Sequence, residues 1–434
     1  MRIRLAQWRD TLTTGFWFVP TLMAALAVVV AFLLVAMDQR LDPGTEGTLG
    51  WAYSGGAEGA RSLLSTIAGS MITAASVTFS LASVALSIAS QQYGSRVLRN
   101  FMRDRITQVL LGTFVSTFIY CVLVVRTIRG NNVTSGFVPA IAITVAIALS
   151  VISLVLLIFF IHHISSSIQA SSIVNMIGKE MMRSIPELYP SEAGSPLPVD
   201  EAAESETSSS WAELTAARSG YVQAIDMDSA MELAGAGDAV LRLVARPGDY
   251  VVSGSALALV YPAGAATPEM TTGVNSAWLL GPQRTPAQDV RFTFQQLSEV
   301  TIRALSPGIN DPFTAIYAID RLSEGLSLLA ERDPVSPLRR DEKGAWRLIA
   351  ETTRFPEVAE TVFQHIAPYA RQDASVLRRL LHTVDVVSGH VRRQEDAACL
   401  RLQRAMVQAL LRENQRENHQ ETGSIHADGE NAET

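Results

Sequence analysis

Four segments of this sequence are apolar over about the 20 residues a helix needs to cross a hydrocarbon core about 30 Å thick. They span 16–37, 63–90, 107–125 and 137–161, and none contains Asp, Glu, Lys or Arg. A helix apolar on every side would leave a broad greasy face in water, so such segments belong in lipid or in a large core. The pattern predicts an α-helical integral membrane protein with four transmembrane helices, in a transmembrane domain over 1–178. Arg2, Arg4 and Arg9 precede the first segment as they would a signal peptide. Its apolar run is too long for one, and no small-residue cleavage site follows Ala36, so it reads as a retained anchor.

Arginine placement sets the expected orientation. Three Arg flank the first span, and Arg96, Arg99, Arg103 and Arg105 lie between spans two and three. On the other side, Arg40 and Arg61 are offset by Asp38, Asp42, Glu46 and Glu58. Both termini, and everything after the fourth span, are therefore expected in the cytoplasm, with the lipid bilayer as the first partner. The net charge of −7 offers no general basic surface for nucleic acid. Cys121 and Cys399 are the only cysteines, too few for a disulfide framework or a thiolate metal site.

The second span is unlike the others. Residues 65–90 read STIAGSMITAASVTFSLASVALSIAS, with ten Ser or Thr. Thr66, Ser70, Thr73, Ser76, Ser80, Ser83, Ser87 and Ser90 recur every three or four residues, which places all eight on one helix face. Two roles fit such a seam. Small residues let helices approach closely while the hydroxyls bond across the contact or back to their own helix. Alternatively, the seam lines a wetted pore, where hydroxyls replace part of an ion's hydration. Next comes QQYGSRVLRNFMRDR, in which Gly94 breaks the helix and Arg96, Arg99 and Arg103 share a face opposite Val97, Leu98, Phe101 and Met102. That face reads as an interfacial anchor toward lipid phosphate, or as a positive ring at a pore mouth. The adjacent His162 and His163 point different ways and read as interfacial residues.

After the spans, charge rises. Residues 179–214 include PSEAGSPLPVDEAAESETSSS, a linker composition. Short β-prone runs follow at 220–225, 240–244, 250–252 and 256–260, separated by Gly-containing turns, and predict a small β domain over 215–265. Residues 280–411 predict a helical domain, with apolar stripes such as Leu377, Leu380, Leu381, Val384, Val387 and Val391. The polar residues 412–434 predict a disordered tail. Within the helical domain, ALSPGINDPFTAIYAIDRL turns at Pro307-Gly308, and Asn310 or Asp311 can cap the next helix ahead of Pro312. Asp289, Arg291, Arg303, Asn310 and Asp311 are expected to form a polar cluster around that turn, either a capping and ion-pair knot or a ligand site.

RPGDYVVSGSALALV resembles the half-motif of barrel-sandwich hybrid domains, as in lipoyl carriers and efflux adaptors, with turns at Pro247-Gly248-Asp249 and Gly254. No lysine occurs between 180 and 342, so the likeness implies a fold and no prosthetic group. SQQYGSRVLRNFMRDRITQVLLGTFVSTFIYCVLVVRTIR and QDVRFTFQQLSEVTIRALSPGINDPFTAIYAIDRL resemble the bacterial predicted membrane proteins of domain-of-unknown-function family 2254, and Gly281-Pro282-Gln283-Arg284 resembles its family equivalent. That resemblance implies a bacterial inner-membrane protein with four N-terminal spans, and it implies no activity.

Motifs for nucleotide hydrolysis, serine or zinc hydrolysis and dithiol redox chemistry are absent from the sequence. An enzyme is therefore not expected, and no cofactor or metal. Proton-coupled transport lacks the intramembrane carboxylates it would use. Two functions remain: a channel-like homo-oligomer with span two at its centre, or a non-conducting scaffold or sensor whose cytoplasmic modules bind a protein partner.

Overall fold

A computed structural model describes residues 17–40, 53–93, 104–129, 137–167, 169–189 and 211–430. The chain divides into two units, Met1–Gln169 and Ala170–Thr434.

The first unit holds four helices long and apolar enough to cross a membrane: α1 (Phe18–Arg40), α2 (Ala57–Tyr93), α3 (Arg105–Thr127) and α4 (Ala140–Ser167). Helix α3 is the most enclosed of the four and packs against α1, α2 and α4. Its Leu110, Phe114, Tyr120, Cys121 and Val124 are buried. Gly112 lets α1 come close: a Cβ there would lie 2.5 Å from Met23 Sδ and 3.2 Å from the Pro20 Cα. By contrast, Leu22, Leu26, Val29, Phe32 and Leu33 of α1 and Val151, Leu154, Val155 and Ile158 of α4 are exposed. That much bare apolar surface suits hydrocarbon rather than water.

Side chains fasten the helix ends. Asp104 caps α3, accepting from Ile106 N at 3.1 Å and the Thr107 hydroxyl at 2.6 Å. It also meets His163 Nε2 at 2.9 Å, which ties the start of α3 to the end of α4. At the other end of α4, Asp38 accepts from Ile141 N and Ala142 N at 3.1 and 3.0 Å. Two of that helix's orphan N–H groups are thus satisfied by a carboxylate from α1. Tyr120 donates its hydroxyl to Ala142 O at 2.8 Å, and Arg61 donates to Ile128 O at 2.9 Å. Asp38→Ala is expected to cost about 1 kcal/mol, as losing a helix cap does. Thermal unfolding of the detergent-solubilised protein measures it, and an unchanged midpoint would remove this role.

The second unit begins earlier than the composition suggests. The transmembrane domain expected over 1–178 ends at Gln169, because α5 (Ala170–Leu188) belongs to the second unit. Ile173, Val174, Ile177, Met181 and Ile185 form its buried stripe, spaced so that all reach one face. Its charges at Lys179 and Glu180 mark the solvated side of a packed helix, not the start of a linker. Most of the expected linker, 190–210, lies outside the described residues.

The strands are β1 (Ala212–Thr215), β2 (Gly220–Ile225), β3 (Val240–Leu243), β4 (Tyr250–Val251), β5 (Ala256–Tyr261), β6 (Trp278–Gly281), β7 (Leu338–Arg340) and β8 (Trp346–Ile349). Helices α6 (Met227–Ala236) and α7 (Pro268–Ala277) are inserted among them. One sheet runs β1-β5-β3-β8-β7 and the other β4-β2-β6. Pairing is antiparallel except for β3 with β8, where Leu241 opposes Leu348. Val222, Ile225, Leu241, Leu257, Val260, Trp278 and Leu348 fill the core, and Trp278 Nε1 donates to Ala245 O at 3.1 Å.

The β domain expected over 215–265 is therefore not self-contained. Strand β6 completes one sheet, and β7 and β8, from within the stretch expected to be wholly helical, complete the other. Those two strands are short and carry Arg339, Arg340 and Arg347, so they lack an apolar alternation. Ion pairs hold the hairpin instead: Arg347 meets Asp238 at 2.8 Å and Asp341 at 2.9 Å, and Arg340 lies over the Trp346 ring at 3.9 Å.

The helical part comprises α8 (Val290–Ala304), α9 (Pro312–Ala330), α10 (Phe355–Ile366), α11 (Ala374–Ser388) and α12 (Gln394–Glu430). Helix α5 packs on α8 and α9. The tail expected to be disordered from 412 continues as α12. Arg371 pairs with Glu413 and Glu417, each at 2.9 Å, and buried Asn414 donates to Arg371 O at 2.9 Å. Polar composition hid a helix whose contacts are themselves polar.

Candidate functional site

Helix α2 presents two small-residue faces, and the fold uses one of them. Ala60, Leu64, Ala68, Ala75, Thr78, Ala85 and Ala89 are buried. Ala60, Leu64 and Ala68 cluster with Tyr120, Cys121, Val124, Ala142 and Ala146, and Ala75 with Leu110, Phe114 and Phe160. On the other side, Thr66, Ser70, Thr73, Ser76, Ser80, Ser83 and Ser87 are exposed, with Ser90 half-buried. The hydroxyl seam is thus not the contact that packs α2 against its own neighbours. Alanines make most of that contact, because they admit a close helix with few polar atoms that need partners, Thr78 being the buried hydroxyl among them.

The exposed hydroxyls are partly self-satisfied. Thr66 donates to Ser62 O, Ser70 to Thr66 O and Thr73 to Gly69 O, each at 2.8 Å, and Ser76 to Ile72 O at 2.9 Å. Each such bond removes an unpaired donor, while the hydroxyl oxygen keeps lone pairs for another donor or a cation. The seam can therefore face another helix or a wetted lumen. The interfacial basic face of Arg96, Arg99 and Arg103, and the helix break at Gly94, lie outside the described residues. His162 is exposed and His163 half-buried on Asp104, consistent with adjacent positions on a helix.

The polar cluster expected in the second unit separates into three parts. Asp311 caps α9, accepting from Thr314 N at 3.0 Å, and Asn310 takes the left-handed turn conformation (φ 47°) before it. Arg303 pairs with Glu299 one turn away at 3.2 Å. Asp289 and Arg291 do come together, around residues from elsewhere in the chain. Asp289 occupies the N-cap position of α8 without capping it. Its buried carboxylate instead accepts from Arg284 through Nε at 2.8 Å and through Nη2. Arg284 Nη1 donates to Gln295. Arg291 Nη2 donates to Asp249 Oδ1 at 3.2 Å, while Arg291 Nε lies 3.8 Å from Asp289 Oδ1. Asp249 also accepts from Arg246 N at 2.9 Å, and so holds its own turn.

Burial pushes the Asp289 carboxyl above the usual carboxylate range, opposed first by Arg284 and then by Arg291. Arg284 and Asp249 were missed as members of the cluster. Both stand in strings distinctive in the sequence, GPQR and RPGDYV, but residues 42 apart carry no spacing signal for an ion pair. Among the described residues, no group of three or more His, Cys, Asp or Glu could hold a metal ion. Burial pushes the Cys399 thiol up to about 11, which suits a core side chain rather than a nucleophile.

Comparison with known proteins adds the relatives. The chain matches the family described as predicted membrane protein, DUF2254, over residues 13–385. It is similar to uncharacterised proteins of Mycobacterium bovis and of two strains of Mycobacterium tuberculosis. Each is 31% identical over 385 residues, covering 87% of this chain and 73% of the relative. No solved structure matches.

Proposed function

This chain belongs to the DUF2254 family of predicted membrane proteins, and from that premise we propose a channel-like homo-oligomer with the Ser/Thr-rich α2 facing its axis. One observation carries the reading: seven of the eight seam hydroxyls are exposed while the alanine face opposite is packed. A seam left outside its own bundle is available to other copies, and four spans per chain make a conduit only as a multimer. In this arrangement the serine and threonine oxygens take the place of part of an ion's hydration. The arginine distribution supports a bacterial inner-membrane location with both termini and the second unit in the cytoplasm. In this reading the strands of the second unit, whose RPGDYVVSGSALALV string resembles a barrel-sandwich half-motif, serve as a docking scaffold at the cytoplasmic side, without a prosthetic group or catalytic role.

The back-bonded hydroxyls favour a second reading, a non-conducting scaffold or sensor in which copies pack dry along the seam and the second unit binds a protein partner. Ion flux in liposomes separates the two. Wild-type protein is expected to conduct. The exposed triple variant Thr73→Val/Ser76→Ala/Ser80→Ala is expected to conduct about tenfold less, equivalent to about 1.4 kcal/mol of lost ion stabilisation. Absence of wild-type current under both voltage and membrane tension would sink the channel reading, as would a monomer in particle images.

A further inference from the structure

Three members of the Arg284–Asp289–Arg291–Asp249 knot, Arg284, Arg291 and Asp249, line a pocket of about 570 Å³. That volume lies within the range of small-ligand sites, about 300–1,000 Å³. Gln295, Val244, Gly248, Tyr250 and Ser255 are among the pocket's other lining residues.

The knot holds both guanidiniums in place without using them up. A guanidinium has five N–H donors. Among the described residues, Arg284 commits three, two to Asp289 and one to Gln295, and Arg291 commits one, to Asp249. Arg291 Nε is buried without a hydrogen-bond partner, and Asp289 Oδ1, also without one, stands 3.8 Å from it, beyond hydrogen-bond distance. The Gln295 amide accepts from Arg284, leaving its NH₂ group as a further donor. A buried donor left open beside a cavity calls for an acceptor. Two fixed forks with spare N–H groups suit a planar or tetrahedral oxyanion, and phosphate offers them the most acceptor oxygens.

The rest of the pocket is of another kind. Val244 and Tyr250 are exposed at its edge, and the Tyr250 ring is braced edge-on by Tyr221, with centroids 5.0 Å apart. A held, exposed aromatic ring in the same pocket as two ion-paired guanidiniums offers a face on which a flat ligand can stack.

We propose that this pocket binds a phosphomonoester with a flat aromatic body, its phosphate on Arg284, Arg291 and Gln295 and its ring against Tyr250. The site is independent of whether α2 lines a pore.

Adenosine monophosphate is the probe, titrated calorimetrically into the full-length protein in detergent, beside adenosine and inorganic phosphate. Saturable binding of the nucleotide is expected, at least tenfold tighter than either fragment, because each supplies half of the contacts. Arg291→Gln and Tyr250→Ala should each weaken it about tenfold or more. Tyr250 is exposed, so its variant reports on binding even if Arg291→Gln perturbs folding. The proposal is overturned if the nucleotide does not bind, if adenosine binds as well as the nucleotide, if phosphate alone accounts for the affinity, or if Tyr250→Ala leaves it unchanged.

Discussion

Arg284→Met is expected to destabilise the second unit by about 3–5 kcal/mol, the cost of leaving a buried charge without its partner. The stranded group is Asp289, whose carboxylate takes two bonds from Arg284 and keeps only the 3.8 Å approach of Arg291 once they are gone. Two features distinguish this loss from simple loss of packing. First, Arg284→Met/Asp289→Leu should recover much of the stability, because an apolar pair replaces a buried ion pair at little net cost. Second, the loss should depend on pH. Burial already holds the Asp289 pKa above its ordinary value, and Arg284 is the largest influence opposing it. Without Arg284 the folded-state pKa rises further. The folded protein then binds more protons than the unfolded chain between the unfolded pKa, about 3.9, and the raised folded value. Stability of the variant should therefore be best preserved below about pH 4 and fall as pH rises through that window. Denaturant titrations from pH 4 to 8 measure it, and a deficit constant with pH would exclude an ionised Asp289 as its source.

Gly248→Ala should cost the second unit about 3 kcal/mol, adding backbone strain to overpacking. Gly248 sits at φ 94°, in the left-handed region, and a Cβ there would lie 2.2 Å from Asp289 Oδ2 and 3.1 Å from Arg284 Nη2. Neither atom can give way cheaply, because each is held by the other. Gly254→Ala is the natural control. Its φ is 90°, but nothing stands within 4 Å of the added Cβ, so it carries the backbone term alone, about 1–2 kcal/mol. Chemical denaturation of both variants gives the difference directly. Equal losses at the two glycines would mean that the close approach to Asp289 is not what Gly248 is there for.

The two glycines show how legibility divided in this chain. Both were readable as turn residues, since RPGDYVVSGSA punctuates two β-prone runs. Their shared backbone conformation is a local property that a short string expresses. Only the fold placed the carboxylate of Asp289 against one of them and left open space beside the other. The β7–β8 hairpin and the end of α12 went unread for a related reason: charged contacts between distant residues hold both, and hydrophobic period is silent about those. Helix α5 was readable by its apolar stripe, yet its charges drew the domain boundary some residues too late.

The sequence alone determined that four helices are apolar enough to span a membrane and that eight hydroxyls follow one face of the second. Both follow from composition and from the 3.6-residue turn of a helix. The tertiary structure decided which face of that helix its neighbours use. The seam and the alanine stripe are both narrow enough for close packing, so spacing could not rank them. Packing α3 and α4 against a face that is mostly alanine brings few polar atoms between the helices, Thr78 being the buried hydroxyl on that side of α2, and it leaves the polar seam outside the bundle. The same holds for the arginine knot: its charges are all visible in the chain, but their pairing is a property of the fold.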